Sequence, residues 1–368
     1  MRRFLVVMLG LMLTLAPVFA QGNNETKKNA DDGKLKVTLL VTGSFGDKAF
    51  NDSALAGVNM IKSKLGDKVA INTVEMGTDK SKYESAVLDV ADSGTDIIVT
   101  GLWEMAQVIQ DVAPQYPDKK FILFDTSVDY SAGDYSNVYS ISYRQNQAGF
   151  LAGVLAAGVT KSDMPECNPQ ATIGFIGAKE NAAVINDSAV GYVEGAKFID
   201  PNIKVLVSYV GSYVDSATAK ELALTQYSNG ADIVFVAAGP ASVGAIEAAF
   251  DSQKYIIGVD SDQAAAYADN SNAKYIISSA LKNVGMSIYN SISQDLAGTL
   301  PYGHSETQGL SSDAVGLAMN SIYESEVPAT VKQQVADAKK SLIEGKVKVN
   351  TAYGMEFDKL KAIINSAQ

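Results

Sequence analysis

Six short apolar runs in this chain each stop at a small cluster of polar, glycine or aromatic residues. VTLLVT gives way to GSFGDKAFND, DIIVT to GLWE, FILF to DTS, TIGFI to GAKEN, IVFV to AAGP and YIIGV to DSDQ. Runs this short, continuous and rich in β-branched residues suit strands covered on both faces by helices. Open parallel α/β sheets bind ligands just beyond the carboxyl ends of their strands. The polar chemistry of this chain is therefore placed where such a fold would bind something. It consists of carboxylates, an amide, a lysine and aromatic rings, groups better suited to gripping a flat polar molecule than to attacking one.

The pattern continues between the runs. Strands are expected at Val37–Val41, Val69–Thr73, Asp96–Thr100 and Phe121–Phe124, separated by helices at Ser53–Leu65, Tyr83–Asp92 and Trp103–Ala113. Asn51, Asp52 and Ser53 are available as caps for the first helix. A second series of similar size follows: helix Gln145–Val159, strand Ala171–Ile176, helix Ala183–Phe198, strand Ile203–Val210, helix Ala217–Ser228, strand Ile233–Ala237, helix Val243–Phe250 and strand Tyr255–Val259. The last hundred residues offer a strand-like run at Tyr275–Leu281, a helix at Gly285–Leu296, a polar stretch to Gly309, a strand at Val315–Met319 and a helix at Glu324–Lys340. A chain that starts both lobes and then finishes both crosses between them more than once, which makes a hinge and a cleft.

Before Lys36 the sequence is of another kind. Arg2 and Arg3, the apolar stretch Phe4–Leu15 and the Val18-Phe19-Ala20 site read as a secretory signal peptide over residues 1–20. The stretch is short for a membrane span, which needs roughly 20 residues. Residues 21–34 read as a polar, disordered tether. No cysteine follows the cleavage point, so no N-terminal lipid anchor is expected and a periplasm is the favoured compartment. Cys167 is the only cysteine, which leaves no intramolecular disulfide. A formal net charge of −11 without a basic stripe argues against nucleic acid.

Few catalytic constellations are on offer. His304 is the only histidine and reads as an exposed loop residue, which removes Ser/His and Cys/His pairs and a His/Cys metal site. DSDQ lacks the rest of an EF-hand, and no phosphate-binding glycine motif follows the first strand. Phe45 and Phe50 in the first loop are either ring platforms for a planar ligand or a small hydrophobic cluster. Asp125 is either a ligand acceptor or a turn cap, and Trp103 reads as core. Asp260 leaves its strand directly and is the better ligand candidate of its cluster, with Asp262 capping the next helix. Lys282 is either a bridge to ligand hydroxyls or a solvated surface lysine.

Taken in order, GSFGDKAFND, QAGFLAGVLAA, TIGFIGAKEN, GYVEGAK, YVGSYVD, GADIVFVAAG, YIIGVDSDQ and SSALKNVG resemble the basic-membrane-protein group of ABC-transporter substrate-binding proteins, over roughly residues 36–320. The resemblance implies an α/β, type I periplasmic-binding-protein fold with two Rossmann-like lobes, a cleft between them and three crossings. Residues 35–141 with 282–308 would form lobe 1, and 142–281 with 309–368 lobe 2. It implies a monomer without cofactor that binds a purine nucleoside, such as guanosine, inosine or adenosine, and serves an inner-membrane permease. By the same resemblance Phe50 stacks on the base, Asn51 and Asp125 meet its edge, Asp260 and Lys282 hold the ribose, and Gly239 gives a backbone contact. Tyr213 would be the second ring, where the family often has Phe. Two other readings stand beside this one: a binding protein for a sugar or signalling molecule, and a nucleoside hydrolase using Asp47, Asp125 and Asp260.

Overall fold

A computed structural model describes residues 33–367. The expected signal peptide and nearly all of the tether lie outside these residues. From Leu35 onward the first lobe runs β1 (Leu35–Val41), α1 (Phe50–Leu65), β2 (Val69–Glu75), α2 (Tyr83–Asp92), β3 (Ile97–Gly101), α3 (Glu104–Val112), β4 (Lys120–Phe124) and β5 (Val138–Tyr143). The second continues with α4 (Gln145–Thr160), β6 (Thr172–Gly177), α5 (Ala183–Ile199), β7 (Lys204–Tyr209), α6 (Ser216–Ser228), β8 (Ala231–Ala237), α7 (Ser242–Ser252), β9 (Tyr255–Asp260), α8 (Gln263–Ala266) and β10 (Ile276–Lys282). The chain ends with α9 (Val284–Leu296), β11 (His304–Gln308), β12 (Val315–Leu317), α10 (Ser321–Glu326), α11 (Ala329–Ile343) and α12 (Phe357–Asn365).

Two six-stranded sheets result, ordered β11-β5-β4-β3-β1-β2 and β12-β10-β9-β8-β6-β7. β1–β5 and β6–β10 are arranged alike, offset by five strands, and β11 and β12 complete the equivalent edge of each sheet. Each sheet is parallel except for β12, which runs antiparallel to β10. The central strands β3, β4, β6 and β8 are buried almost throughout, as their largely apolar sequences require. The chain passes between sheets after β5, after β10 and after β11, so each lobe is completed by a strand that follows a crossing.

Two close helix contacts set the frame. Helix α4 is apolar nearly all round and is buried between its sheet and α5, as an all-apolar helix must be. Helix α9 meets α1 backbone to backbone: a Cβ on Gly57 would lie 2.6 Å from the Gly285 carbonyl oxygen, so neither position accepts a side chain. This contact holds the start of α9, and with it the end of β10, beside the first turn of α1.

The structure departs from the sequence expectations at several points. The strands expected from the sequence do not include β5 or β11, and His304 lies on the exposed edge strand β11 rather than in a loop. The single helix expected at Glu324–Lys340 is two, parted at Val327-Pro328, because the proline ring disfavours helical geometry in the residue before it. Trp103 is not core: it is 64% exposed, with the Lys80 ammonium 4.2 Å from its ring centroid.

Candidate ligand-binding cleft

The loop after β1 is folded by its own side chains. The Asp47 carboxylate accepts hydrogen bonds from the N–H groups of Ala49 (2.9 Å), Asn51 (2.9 Å) and Asp52 (3.1 Å), so it serves the first turn of α1. Asp52 reaches back to the Gly46 and Lys48 N–H groups at 2.7 and 2.8 Å. Asn51 and Asp52 are thus inside the helix, and Asp47 does the capping expected of them. Asn51 is 8% exposed and donates both amide hydrogens, to the Thr42 and Ser44 carbonyls at 3.0 and 3.1 Å. Its Oδ1 has no partner among the described residues.

This fixed loop delivers Phe50 at the first position of α1. The Phe50 ring lies 5.7 Å from that of Phe124, the last residue of β4, at an interplanar angle of 34°. Asp125 follows at once, with φ of 60°, a left-handed conformation that costs a non-glycine residue energy. Asp260, at the end of the equivalent strand β9 in the other lobe, has φ of 66°. Strain of this kind gathers at binding sites. Here it turns a carboxylate off the carboxyl edge of each sheet at the same topological position.

Lys282 feels both carboxylates and bonds one of them. Leu281 pairs with Asp260 in the parallel register of β9 and β10, which puts Lys282 one residue beyond it. The Lys282 ammonium donates to Asp125 Oδ1 at 2.8 Å, and it stands 5.5 and 5.7 Å from the ring centroids of Phe50 and Tyr143. It is 7% exposed, not a solvated surface lysine. Burial by itself would lower its pKa, but the Asp125 and Asp260 carboxylates outweigh that and raise it. Asp260 goes the other way from an ordinary carboxylate: burial, with Asp125 and Asp47 nearby and against the pull of Lys282, pushes it up to about 6. The Asp260 carboxylate has no hydrogen bond or ion pair among the described residues, and Asp125 Oδ2 has no hydrogen bond either.

Tyr213 comes from the loop after β7. Its carbonyl accepts from the Ala241 N–H at 2.8 Å, and a Cβ at Gly239 (φ 58°) would lie 3.5 Å from its ring. Gly239 thus packs its backbone against this tyrosine. Burial raises the phenol pKa; Lys282 opposes this, while Asp125, Glu104 and Asp260 add to it, so the hydroxyl feels both lobes. That hydroxyl has no partner among the described residues.

The structure therefore gathers Phe50, Asn51, Asp125, Asp260 and Lys282 at the facing carboxyl edges, with Tyr213 and Gly239 packed together on the second lobe. It also brings in residues the sequence did not single out. Tyr143 ends β5, and its hydroxyl is buried with no partner among the described residues. Tyr353 arrives from the C-terminal segment, where its hydroxyl accepts from Gln145 Nε2 at 2.8 Å. Among the described residues no group of three or more His, Cys, Asp or Glu is placed to hold a metal ion. A separate groove of about 560 Å³, lined by Phe150, Phe198, Lys197 and Ile363, lies on the second lobe and shares no residue with this cluster.

Comparison with known proteins decides the class. Residues 34–351 match the family described as ABC transporter substrate-binding protein PnrA-like. The chain belongs to this family. It is 33% identical to "Basic membrane protein A" of Borreliella burgdorferi over 289 residues, covering 77% of this chain and 79% of that protein. It is 28% identical to the "ABC transporter nucleoside-binding protein BmpA" of Lactococcus lactis over 372 residues, covering 95% and 99%. The crystal structure of an ABC-transporter solute-binding protein from Aeropyrum pernix superposes with a TM-score of 0.74 at 22% identity, covering 90% of this chain and 99% of that one, which establishes the shared fold. Family membership makes the chain a substrate-binding protein and sets aside the hydrolase reading.

Proposed function

We propose that the cleft captures a purine nucleoside for delivery to an ABC permease. One observation carries the reading: the unfilled polar positions around the Phe50 ring are mostly acceptors. They are both oxygens of Asp260, Oδ2 of Asp125 and Oδ1 of Asn51, with the buried Lys282 as the cationic donor. Such a site suits a flat, uncharged ligand rich in O–H and N–H donors. Repulsion from the carboxylates disfavours an anionic one. A ribose cis-diol presents two O–H donors to one carboxylate, and Asp260 is the group able to take both. The edge of the base then meets Asn51 and Asp125, and Phe50 and Tyr213 flank its faces. The name of the Lactococcus lactis relative supports a nucleoside.

Export by residues 1–20 belongs to the same proposal, with a soluble mature protein that starts near Gln21 and works in a periplasm. Among the described residues no helix is long and apolar enough to cross a membrane.

Mass spectrometry of small molecules released on denaturing the purified protein tests the ligand class directly. Calorimetric titration with inosine, guanosine, adenosine and ribose then ranks candidates. Phe50→Ala weakens nucleoside binding by about 1–3 kcal/mol if the ring stacks on the base. Should the variant lose thermal stability while each folded molecule keeps full affinity, Phe50 is a packing residue and the stacking role falls.

A further inference from the structure

We infer that Lys48 and Tyr267 form a clasp that positions the ligand-binding residues of the two lobes against each other and slows the release of a bound ligand. Lys48 lies on the first lobe, two residues before Phe50. Its carbonyl oxygen accepts from Ser261 Oγ at 2.8 Å and from Gln263 Nε2, both on the second lobe just after Asp260. Its ammonium stands 4.0 Å from the centroid of the Tyr267 ring, also on the second lobe. One residue of the first lobe thus makes three contacts with the segment Ser261–Tyr267 that follows Asp260.

Both halves of the clasp are rigidly mounted. Lys48 is held in a left-handed conformation, φ 53°, by its N–H bond to Asp52. On the other side Gln263 is 3% exposed, and its amide also donates to the Val259 carbonyl at 3.2 Å. The Tyr267 ring packs edge-on against Phe250, with centroids 5.7 Å apart at 86°. Lys48 and Tyr267 are not among the residues assigned to the ligand, so the clasp acts on it only through Phe50 and Asp260. Opening the cleft has to break all three contacts. These contacts do not depend on a ligand, so opening for entry breaks them as opening for departure does, and a weaker clasp speeds both.

The functional readout rests on the nucleoside reading, and inosine is the probe. Lys48→Asn keeps a residue that tolerates left-handed backbone but removes the cation. Tyr267→Leu removes the ring and Tyr267→Phe keeps it. Stopped-flow measurement should show inosine leaving Lys48→Asn and Tyr267→Leu about five- to tenfold faster than wild type, with association as fast or faster. Tyr267→Phe should behave as wild type, and the Lys48→Asn/Tyr267→Leu double variant no worse than either single one. A second measurement needs no ligand. Spin labels at Lys62→Cys and Glu221→Cys, in a Cys167→Ala background, report the distance between lobes, which should lengthen in Tyr267→Leu and return in Tyr267→Phe. Unchanged dissociation in both single variants, or an unchanged distance distribution, overturns the clasp. If wild type fails to bind inosine, the nucleoside reading fails instead, and the spin-label distances alone decide the clasp.

Discussion

Asp232 and Asp260 lie on adjacent strands of one sheet, at opposite edges of it. Asp232, at the amino end of β8, is fully buried and saturated: it accepts from Thr160 Oγ1 at 2.6 Å, from the Asn168 N–H at 3.1 Å and from the Lys254 ammonium at 3.3 Å. Asp260, at the carboxyl end of β9, has a lysine in its neighbourhood too, but its carboxylate has no hydrogen bond or ion pair among the described residues. A buried carboxylate gains when its lone pairs are filled and costs the fold when they are not. The amino edge of the sheet has spent its carboxylate on structure, whereas the carboxyl edge holds one in reserve. The two differ in burial as well, Asp232 being fully buried and Asp260 half-buried, but saturation is what assigns one to structure and leaves the other open to a ligand.

The contrast can be broken most forcefully at the saturated end. Asp232→Ala leaves Lys254 with only the Glu166 carbonyl, strips the Thr160 hydroxyl and the Asn168 N–H of their acceptor, and should destabilise the protein by about 3–5 kcal/mol in chemical denaturation. Affinity per folded molecule should stay unchanged, and a matching loss of affinity would show that the two edges are not separate. At the reserved end the expectation inverts. Asp260→Ala should lose about 1.5–3 kcal/mol of nucleoside affinity and most of the preference for nucleoside over 2′-deoxynucleoside. Competition titrations with guanosine and deoxyguanosine check this; equal wild-type affinities for the two would remove the diol assignment. The shape-preserving Asp260→Asn should meanwhile stabilise the ligand-free fold at pH 7 by about 1–3 kcal/mol, since it deletes an unpaired charge.

The pH dependence sharpens the same point. The folded Asp260 carboxyl titrates at about 6, above its unfolded value of 3.8, so the fold holds this proton more tightly than the unfolded chain does. Its contribution to stability is therefore present at low pH and lost as pH rises from about 4 to about 6. Wild type minus Asp260→Asn should show that decline across this window and a plateau above it. Nucleoside affinity should move oppositely, because diol donors need the ionised carboxylate, and fall by up to about tenfold per pH unit below 6. The smallest effect is expected at Tyr213→Phe, which keeps the ring and removes an unpartnered hydroxyl. A change in affinity above about 1 kcal/mol would mean that the hydroxyl itself touches the ligand.

Much of this was legible in the sequence because the central strands are continuous apolar runs, and the polar residues that end them fall where the cleft lies. What escaped notice has physical reasons. β11 reads HSETQ, with no apolar residue, and is a strand only because β5 offers it a parallel edge. β5 itself mixes buried tyrosines with Ser140, which is fully buried and meets the Tyr130 hydroxyl. Tyr353 sits in a stretch without periodicity and is placed by tertiary contacts alone: Thr351 Oγ1 and the Ala352 N–H bond Asp187 just before it. Trp103 misled because a lone tryptophan is usually packed, yet here the left-handed Leu102 before it turns it outward to Lys80.

The late return of the chain to its first sheet has a consequence for biosynthesis. Asp125 and Lys282, bonded in the finished protein, are 157 positions apart. A ribosome adding about 5–20 residues per second reaches the second roughly 8–30 seconds after the first. Throughout that interval β5 has no β11 at its side, α1 has no α9 to pack on, and Asp125 has no counter-ion. The nascent first lobe thus presents an open strand edge and an unfinished helix face for seconds, and those are the surfaces a chaperone would find on it.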